Sequence, residues 1–478
     1  MIPKTSVSFS CADPAMQRLF DTACERCREN LTFFGKDQVL VEGGGYEKIW
    51  LETQPMGGEM YAKQNLTAAL NNQLLFMRCQ REDGRLPGSI QGFSDGHVEA
   101  QFNKFQGFCF PWPALNMYYW MGEDREYLLR LYECLRAFDA YLWRVRDADG
   151  DGILESWCVY DTGEDNALRY GGAPVYWTED TPPRGYDTVP MASMDVTAFS
   201  YAARDTLAEI SAILDNGRES AWRKAADAVA KALKDRLWDE ARGACFDRDS
   251  AGQVIDVLCH NNLRCMYWGA FSQEMADRFV REHLTNPEEF WTKLPLPSVA
   301  VNDPLFRNAP ENNWSGQCEG LTYQRAILAL ERYGYERLVT QLGKKLMSAV
   351  IGGGYVFSQQ YDPFTGAPSL VSTVTKKPLA PGSSDPCQIA YGPTLLSVLE
   401  YMAHIWGVSM VRGKLWFSLG SGLAYSWEQQ WGENRFRIES DGRTARVLVN
   451  GAETARSACG VRLITARDGK VLETIAIE

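Results

Sequence analysis

Ile210-Ser-Ala-Ile-Leu-Asp215-Asn-Gly217-Arg-Glu-Ser-Ala-Trp222-Arg-Lys-Ala-Ala-Asp-Ala-Val229-Ala-Lys-Ala-Leu233-Lys-Asp-Arg-Leu237 is the stretch from which the fold is read. Trp222, Ala225, Ala226, Val229, Leu233 and Leu237 recur at helical spacing, so the second half predicts a helix with one apolar face. The segment before it, 195–213, has the same character. Asp215-Asn-Gly217 between them is a short polar turn of residues that tolerate a left-handed backbone. Two helices joined this tightly form an antiparallel hairpin.

The same unit recurs along the chain. Helices are predicted over 13–33, 55–79, 112–121, 124–145, 195–213, 218–237, 260–268, 273–284, 320–333, 335–350 and 391–406. The connections alternate in kind. Met121-Gly-Glu-Asp124 is another short turn, whereas 156–195 and 290–314 are long and rich in Trp, Tyr, Gly and Pro. Sequential hairpins of this sort close into a toroid with short loops at one end and long ones at the other. Long irregular loops in a compact domain usually carry function, so the site is expected at the long-loop end. After Trp406 the pattern changes to polar–apolar alternation with turn signals, as in Lys414-Leu-Trp-Phe-Ser-Leu and Thr444-Ala-Arg-Val-Leu-Val. The expected architecture is therefore mainly α, a helical toroid over 1–409 followed by a small β module over 410–478.

Bulk properties narrow the function. The formal net charge is −12 over 478 residues, and no Lys/Arg run tracks a phosphate backbone, which argues against nucleic acid. The same acidic balance argues against an anionic membrane surface, and no run of 18 apolar residues predicts a span. The 13 cysteines are scattered rather than spaced as a disulfide framework, and Cys24 and Cys27 sit in mid-helix. Free thiols and the lack of a secretory leader give a cytoplasmic expectation. Oligomeric state is not readable.

Four motifs stand in order. Tyr46-Glu-Lys-Ile-Trp50 precedes a helix that leads to Cys79-Gln-Arg-Glu-Asp-Gly-Arg-Leu-Pro87. Arg146-Asp-Ala-Asp-Gly-Asp-Gly-Ile-Leu-Glu155 is followed by Asp161-Thr-Gly-Glu-Asp-Asn166. Asn312-Asn-Trp-Ser-Gly316 and Gln359-Gln-Tyr-Asp-Pro-Phe-Thr-Gly366 complete the set. In this order they resemble the (α/α)6-barrel glycoside hydrolases of family 63 and the related mannosylglycerate and glucosylglycerate hydrolases. The resemblance implies an (α/α)6 toroid, a carbohydrate substrate and an inverting mechanism on an α-linked sugar.

Inversion needs an acid for the leaving oxygen and a base for water on the opposite face, with carboxylates roughly 6.5–9.5 Å apart. The resemblance places the acid at Asp165, matching Asp161-Thr-Gly-Glu-Asp165-Asn to the family's E-S-G-x-D-N. Burial among rings such as Trp157, Tyr160 and Trp177 would keep such a carboxyl protonated. The family's base position holds Gln359, and an amide takes no proton from water. Three readings stay open. The base has moved, with Glu319, Glu52 or Asp385 as candidates. Gln359 replaces a glutamate to trap substrate. Or the chain binds sugar without hydrolysing it. Other activities on the same toroid, an unsaturated-uronide hydrolase or a sugar epimerase, are alternatives; an epimerase needs paired histidines, and only His260 is placed for one.

Trp50, Glu52, Trp112, Trp157, Asp161, Trp314, Tyr361 and Tyr391 are the candidate substrate-binding residues. Further departures, Trp50-Leu-Glu52, Ser315 after Trp314 and Ala390-Tyr-Gly-Pro-Thr394, point to a glycan or glycoside other than those of the named relatives. No metal-ligand cluster of the H-x-x-x-H kind occurs, so no catalytic metal is expected. Asp147, Asp149 and Asp151 supply half of a calcium-loop ligand set, with Cys158 in place of the closing Glu, and admit a structural calcium only.

Overall fold

The computed structural model describes residues 2–372, 377–379 and 389–478. Twelve α-helices carry the body: α1 Pro14–Glu29, α2 Gln54–Tyr61, α3 Leu66–Arg78, α4 Pro111–Trp120, α5 Arg125–Val145, α6 Met194–Leu214, α7 Glu219–Leu237, α8 Asn261–Trp268, α9 Gln273–Phe279, α10 Gly320–Glu331, α11 Glu336–Gly352 and α12 Gly392–Trp406. Even-numbered helices touch their even-numbered neighbours in sequence, and α12 returns to α2, so six inner helices close a ring. The odd-numbered helices pack outside, with α1 against α11 and α12 completing the outer layer. This is the (α/α)6 toroid.

Burial follows from that placement. Every residue of the inner α12 is buried, whereas the outer α7 buries only Ala226, Val229, Leu233 and Leu237. Those four belong to the predicted apolar face; Trp222 is half-buried and donates its indole N–H to Tyr132 at 3.0 Å. Helix starts are set by side-chain caps. Asp13, Asp124, Ser193 and Ser272 each accept backbone N–H groups of the first turn.

The segment expected as one helix over 55–79 is two. Asn65 takes an extended backbone and accepts the Ala68 N–H at 3.1 Å, which restarts the helix as α3 after a four-residue turn over 62–65. That turn converts a long helix into the first inner–outer hairpin. The segment 13–33 ends at Glu29, because Leu31–Phe34 pairs with Asp37–Leu40. Over 273–284 the α-helix stops at Phe279 and continues as a π-helical turn, Val280–Leu284.

Each connection into an inner helix is long and each connection out of one is short. All long loops therefore gather where the inner helices begin, as the loop alternation predicts. The opposite end is covered by the β module, made of β1 Thr5–Cys11, β2 Val408–Val411, β3 Lys414–Leu419, β4 Ala424–Trp431, β5 Asn434–Asp441, β6 Thr444–Val449, β7 Ala452–Ala458, β8 Val461–Thr465 and β9 Val471–Ala476. One sheet has the order β1-β4-β5-β6-β7 and the other β2-β3-β8-β9, both antiparallel. The expected boundary at 409/410 is thereby corrected. The N-terminal strand β1 belongs to the module by pairing with β4, a contact between chain ends that local pattern does not reveal. Trp431 donates to the Trp120 carbonyl at 2.8 Å, fastening the module to α4.

Candidate active site

A cavity of about 180 Å³ opens among the long loops, lined by Tyr46, Tyr160, Asp165, Asn166, Asn313, Trp314, Gln359 and Gln360, with Glu311 at its exposed edge. Three of the four motifs meet in its wall and the first supplies Tyr46.

The Asp165 segment is built on Asp161. That carboxylate is fully buried; it ion-pairs with Arg146 at 2.5 Å and accepts the N–H groups of Trp157 and Phe105 at 2.8 and 3.1 Å. Burial alone would raise its pKa, but Arg146 and these bonds outweigh burial and hold it below the ordinary value. Gly163 follows with φ +78°, and an added Cβ there would sit 2.2 Å from a Glu52 carboxylate oxygen, so only glycine fits. The turn then splits its two acids. Glu164 points into the barrel, where Arg169 pairs with it, His260 Nε2 lies at 2.8 Å and Asn261 donates at 3.1 Å. Asp165 points to the cavity and accepts from Gln106 Nε2 at 3.2 Å. Gln106 has φ +58°, a conformation costly for a side-chain-bearing residue, and its backbone is held by the Tyr160 carbonyl at 2.9 Å.

Asn166 fixes the facing loop. Its amide donates to Asn313 Oδ1 at 2.7 Å and its carbonyl oxygen accepts the Trp314 N–H at 3.0 Å. Behind Trp314, 5.6 Å away ring to ring, lies His260. His260 is buried rather than facing the cleft. Burial lowers its pKa to about 4 against the pull of Glu164, so the ring is neutral at pH 7. Among the described residues, no second histidine joins it at the cavity.

The third wall is a two-residue ladder in which Cys318 pairs with Tyr361 and Glu319 with Gln360. Gln359, one residue earlier, faces the cavity, and its amide oxygen accepts from the Tyr46 hydroxyl at 3.1 Å. Glu319 immediately precedes α10, makes no side-chain capping bond and is completely buried. Neither carboxylate oxygen has a hydrogen-bond partner within standard geometry among the described residues, and burial, reinforced by Glu52 and Asp165, pushes its pKa well above 4.5 although Asn313 lies near enough to oppose the rise. Glu52 sits below. Arg264 and Arg325 ion-pair with it at 3.2 and 3.0 Å, yet burial still raises its pKa to about 7. Arg264 also pairs with Asp195 at 3.0 Å.

The structure thus brings Asp165, Gln359 and Trp314 into one cavity with Glu319 directly behind it. Several expected contact residues are placed elsewhere. Trp157 is fully buried, stacked under Arg146 at 4.1 Å, and supports the Asp161 turn rather than a sugar. Asp161 is the structural anchor just described. Tyr361 is buried with its hydroxyl on the Val356 carbonyl at 2.9 Å. Tyr391 lies one layer back, its hydroxyl on Glu42 at 2.9 Å and its ring edge-on to Tyr46. Trp112 is on α4, facing a different cavity at the far end of the barrel. Trp50 is half-buried at the cavity's flank, with Lys48 and Lys104 over its ring at 5.4 and 5.5 Å. Asp385 lies outside the described residues. Gln106, Asn313 and Glu311 carried no signal of their own; Asn313 alone could have been suspected from its place in Asn312-Asn-Trp-Ser-Gly316.

The Asp147, Asp149 and Asp151 carboxylates have ligand atoms within 4.8 Å of one another. Gly152 N–H on Asp147 at 3.1 Å, Asp151 N–H on Asp149 at 3.1 Å and Arg236 on Asp151 at 2.8 Å engage all three. The donor set fits a cation only in part, on the outer surface away from the cavity.

A ring of six inner helices with a cavity holding Asp165 and Trp314 at its long-loop end is the (α/α)6 architecture of glycoside hydrolases. The family model described as the mannosylglycerate hydrolase MGH1-like glycoside hydrolase domain matches residues 52–377, and the chain belongs to that family. The fold is shared with a mannosylglycerate hydrolase from Thermus thermophilus at 18% identity and TM-score 0.62, over 80% of this chain and 99% of that one. Neutral trehalase from Saccharomyces cerevisiae matches at 13% identity and TM-score 0.55, over 77% and 73%. An α-L-rhamnosidase from Dictyoglumus thermophilum matches at 11% identity and TM-score 0.55, over 94% of this chain, a share that takes in the β module, and 44% of that one. Among the described residues, no helix is long and apolar enough to cross a membrane.

Proposed function

We propose that this glycoside hydrolase inverts the anomeric centre of an α-linked sugar in a small or medium-sized glycan or glycoside, with Asp165 as general acid and Glu319 as general base. The observation that carries this reading is the shared cavity. Asp165 stands on one wall and the Gln359–Gln360 strand on another, with the unpartnered Glu319 carboxyl paired to that strand through its backbone. Gln359 occupies the expected base position but has no basic atom, so it serves as a hydrogen-bonding group toward substrate, oriented by Tyr46. Glu52 is less suited to the base role, because two arginines hold it beneath the floor.

Protonation of the leaving oxygen by Asp165 is matched by removal of a water proton by ionised Glu319 from the opposite face. Departures at Glu52 and Ser315 support a substrate different from mannosylglycerate. The described cysteines are free thiols, which supports a reducing, cytoplasmic setting.

The test is a panel of α-linked aryl glycosides and disaccharides, with the first-formed anomer read by NMR. Release of the β-anomer by wild type and its loss in Asp165→Asn support the reading. A first-formed α-anomer, or an Asp165→Asn variant as fast as wild type, defeats it.

A further inference from the structure

A second cavity, of about 260 Å³, lies at the opposite end of the barrel. It is enclosed by the last turns of α2, α10 and α12, by α4, and by the β2–β3 hairpin that covers this end. The buried Glu52–Arg325 layer separates it from the catalytic cavity, since Arg325 lies on α10 between Glu319 and Glu331. Nothing in the hydrolytic mechanism uses it.

Its chemistry is mixed in a specific way. Trp112 and Trp416 are half-buried walls, and Ile327, Leu328 and Met410 complete an apolar surface. Two carboxylate oxygens and one hydroxyl in its wall have no hydrogen bond among the described residues. Glu59 is 6% exposed and receives hydrogen bonds from Asn116 at 2.6 Å and Trp120 at 3.0 Å on Oε1, while Oε2 has none among the described residues. The Glu331 side chain is 4% exposed; its Oε1 lies 2.8 Å from His404 and ion-pairs with Arg462 at 2.7 Å, and Oε2 has no hydrogen bond among the described residues. Ser409 is 3% exposed and its hydroxyl has no partner among the described residues. Ser409 is the cross-strand partner of Trp416, so the two project side by side from the same face of the hairpin.

Charge decides the class of ligand. Glu59, Glu331 and Glu400 are opposed by Lys63, His404 and Arg462. Lys63 lies 2.6 Å from Glu400, and the two carboxylates flanking His404 outweigh its burial and raise its pKa. The cavity is thus close to neutral. A free anion would meet three carboxylates, and a cation would meet Arg332 and Arg412 at the rim. A purely apolar ligand would strand two carboxylate oxygens and a hydroxyl away from water, at a cost of about 1–3 kcal/mol each. A neutral, hydroxyl-rich ring with an apolar face satisfies both kinds of wall, because its C–H face covers tryptophan and its hydroxyls donate to carboxylates. We propose that this cavity is an accessory saccharide-binding site, distinct from the catalytic one, in which Trp112 and Trp416 hold the ring and Glu59, Glu331 and Ser409 take its hydroxyls.

The probes are methyl α-D-glucopyranoside, methyl α-D-mannopyranoside and myo-inositol. Each is titrated into wild type, Ser409→Val and Val411→Trp by calorimetry and saturation-transfer NMR, and soaked into crystals. Ser409→Val removes the hydroxyl within a similar volume. Val411→Trp closes the mouth while leaving the buried acids intact, and melting curves show which variants are folded. The expected result is saccharide in this cavity in wild-type crystals and affinity there reduced by about tenfold or more in both variants. Hydrolysis should change by less than about threefold, since no catalytic group is touched. Superimposable isotherms for wild type and the folded variants, or a cavity that stays without saccharide in soaked crystals, overturn the proposal. The readout is independent of the hydrolytic assignment, because Asp165→Asn would abolish turnover and leave this binding in place.

Discussion

Asn166 and Asn313 are joined by a 2.7 Å hydrogen bond, and through it the residue beside the proposed acid holds the loop that carries Trp314 and leads to the proposed base. The catalytic cavity is therefore assembled by a clamp between two loops that are 147 residues apart in sequence. Asn166→Ala removes both ends of the clamp without touching a reacting group. Steady-state kinetics should show kcat/KM lowered by roughly tenfold to a hundredfold, because small displacements of positioning groups cost that much. Unchanged kinetics would mean the loop is held by other contacts.

Asp165→Asn keeps the shape of the cavity and removes its transferable proton. Turnover should fall by roughly 10²–10⁴-fold on substrates with poor leaving groups, and by much less on aryl glycosides whose leaving group needs no proton. Equal losses on both substrate types would deny Asp165 the acid role.

The base assignment predicts a pH profile. Glu319 must be ionised to act, and burial raises its pKa well above 4.5. The acidic limb of kcat/KM should therefore lie well above pH 4.5, with activity rising as pH increases through the Glu319 pKa. Glu319→Gln should abolish that limb together with most of the rate, roughly 10²–10⁴-fold. Gln359→Glu should change the rate by less than about tenfold if Glu319 is the base. A large gain in Gln359→Glu would move the base to position 359.

Below the cavity, Arg264 neutralises Glu52 and Asp195 and donates to the Thr162 carbonyl at 2.6 Å. Arg264→Met leaves the fully enclosed Asp195 carboxyl without its cation and Glu52 with Arg325 alone. Urea unfolding should show a loss of about 3–5 kcal/mol. A loss under about 1 kcal/mol would show that the acids re-pair or take up protons at little cost.

His260 couples stability to pH. Its pKa falls from 6.5 when unfolded to about 4 when folded, because burial penalises its charged form. Between these values the unfolded chain binds the extra proton. The stability contribution is complete above pH 6.5 and is lost progressively as pH falls toward 4. His260→Gln should flatten the dependence of the unfolding midpoint on pH across that window. An unchanged slope would place the acid sensitivity elsewhere.

The helical pairing and the loop alternation were legible because they are local. Apolar spacing in Trp222–Leu237 and the Asp215-Asn-Gly217 turn report directly on backbone preferences. The hinge at Asn65 was missed because a four-residue turn hardly interrupts a helical pattern, and its effect rests on one side-chain cap. Strand β1 was missed because its pairing partner is more than 400 residues away. Within the site, the motif segments were found but the direction of each side chain was not. Adjacent residues in a tight turn point to opposite sides, so Glu164 enters the barrel while Asp165 enters the cavity. Asp161 and Tyr361 belong to the same motifs and Trp157 lies between two motif segments, yet all three support the loops from below.

The sequence by itself determined the mainly α architecture, the end of the barrel that carries the long loops, and the segments that build the site. Those properties follow from spacing, turn chemistry and the order of motifs. Only the tertiary structure decided that Asp165 and Gln359 share one cavity, that the N-terminal strand belongs to the β module, and that Trp112 lines a second cavity. Burial and electrostatic pairing arise from residues distant in the chain, and they exist only once the ring of helices has closed.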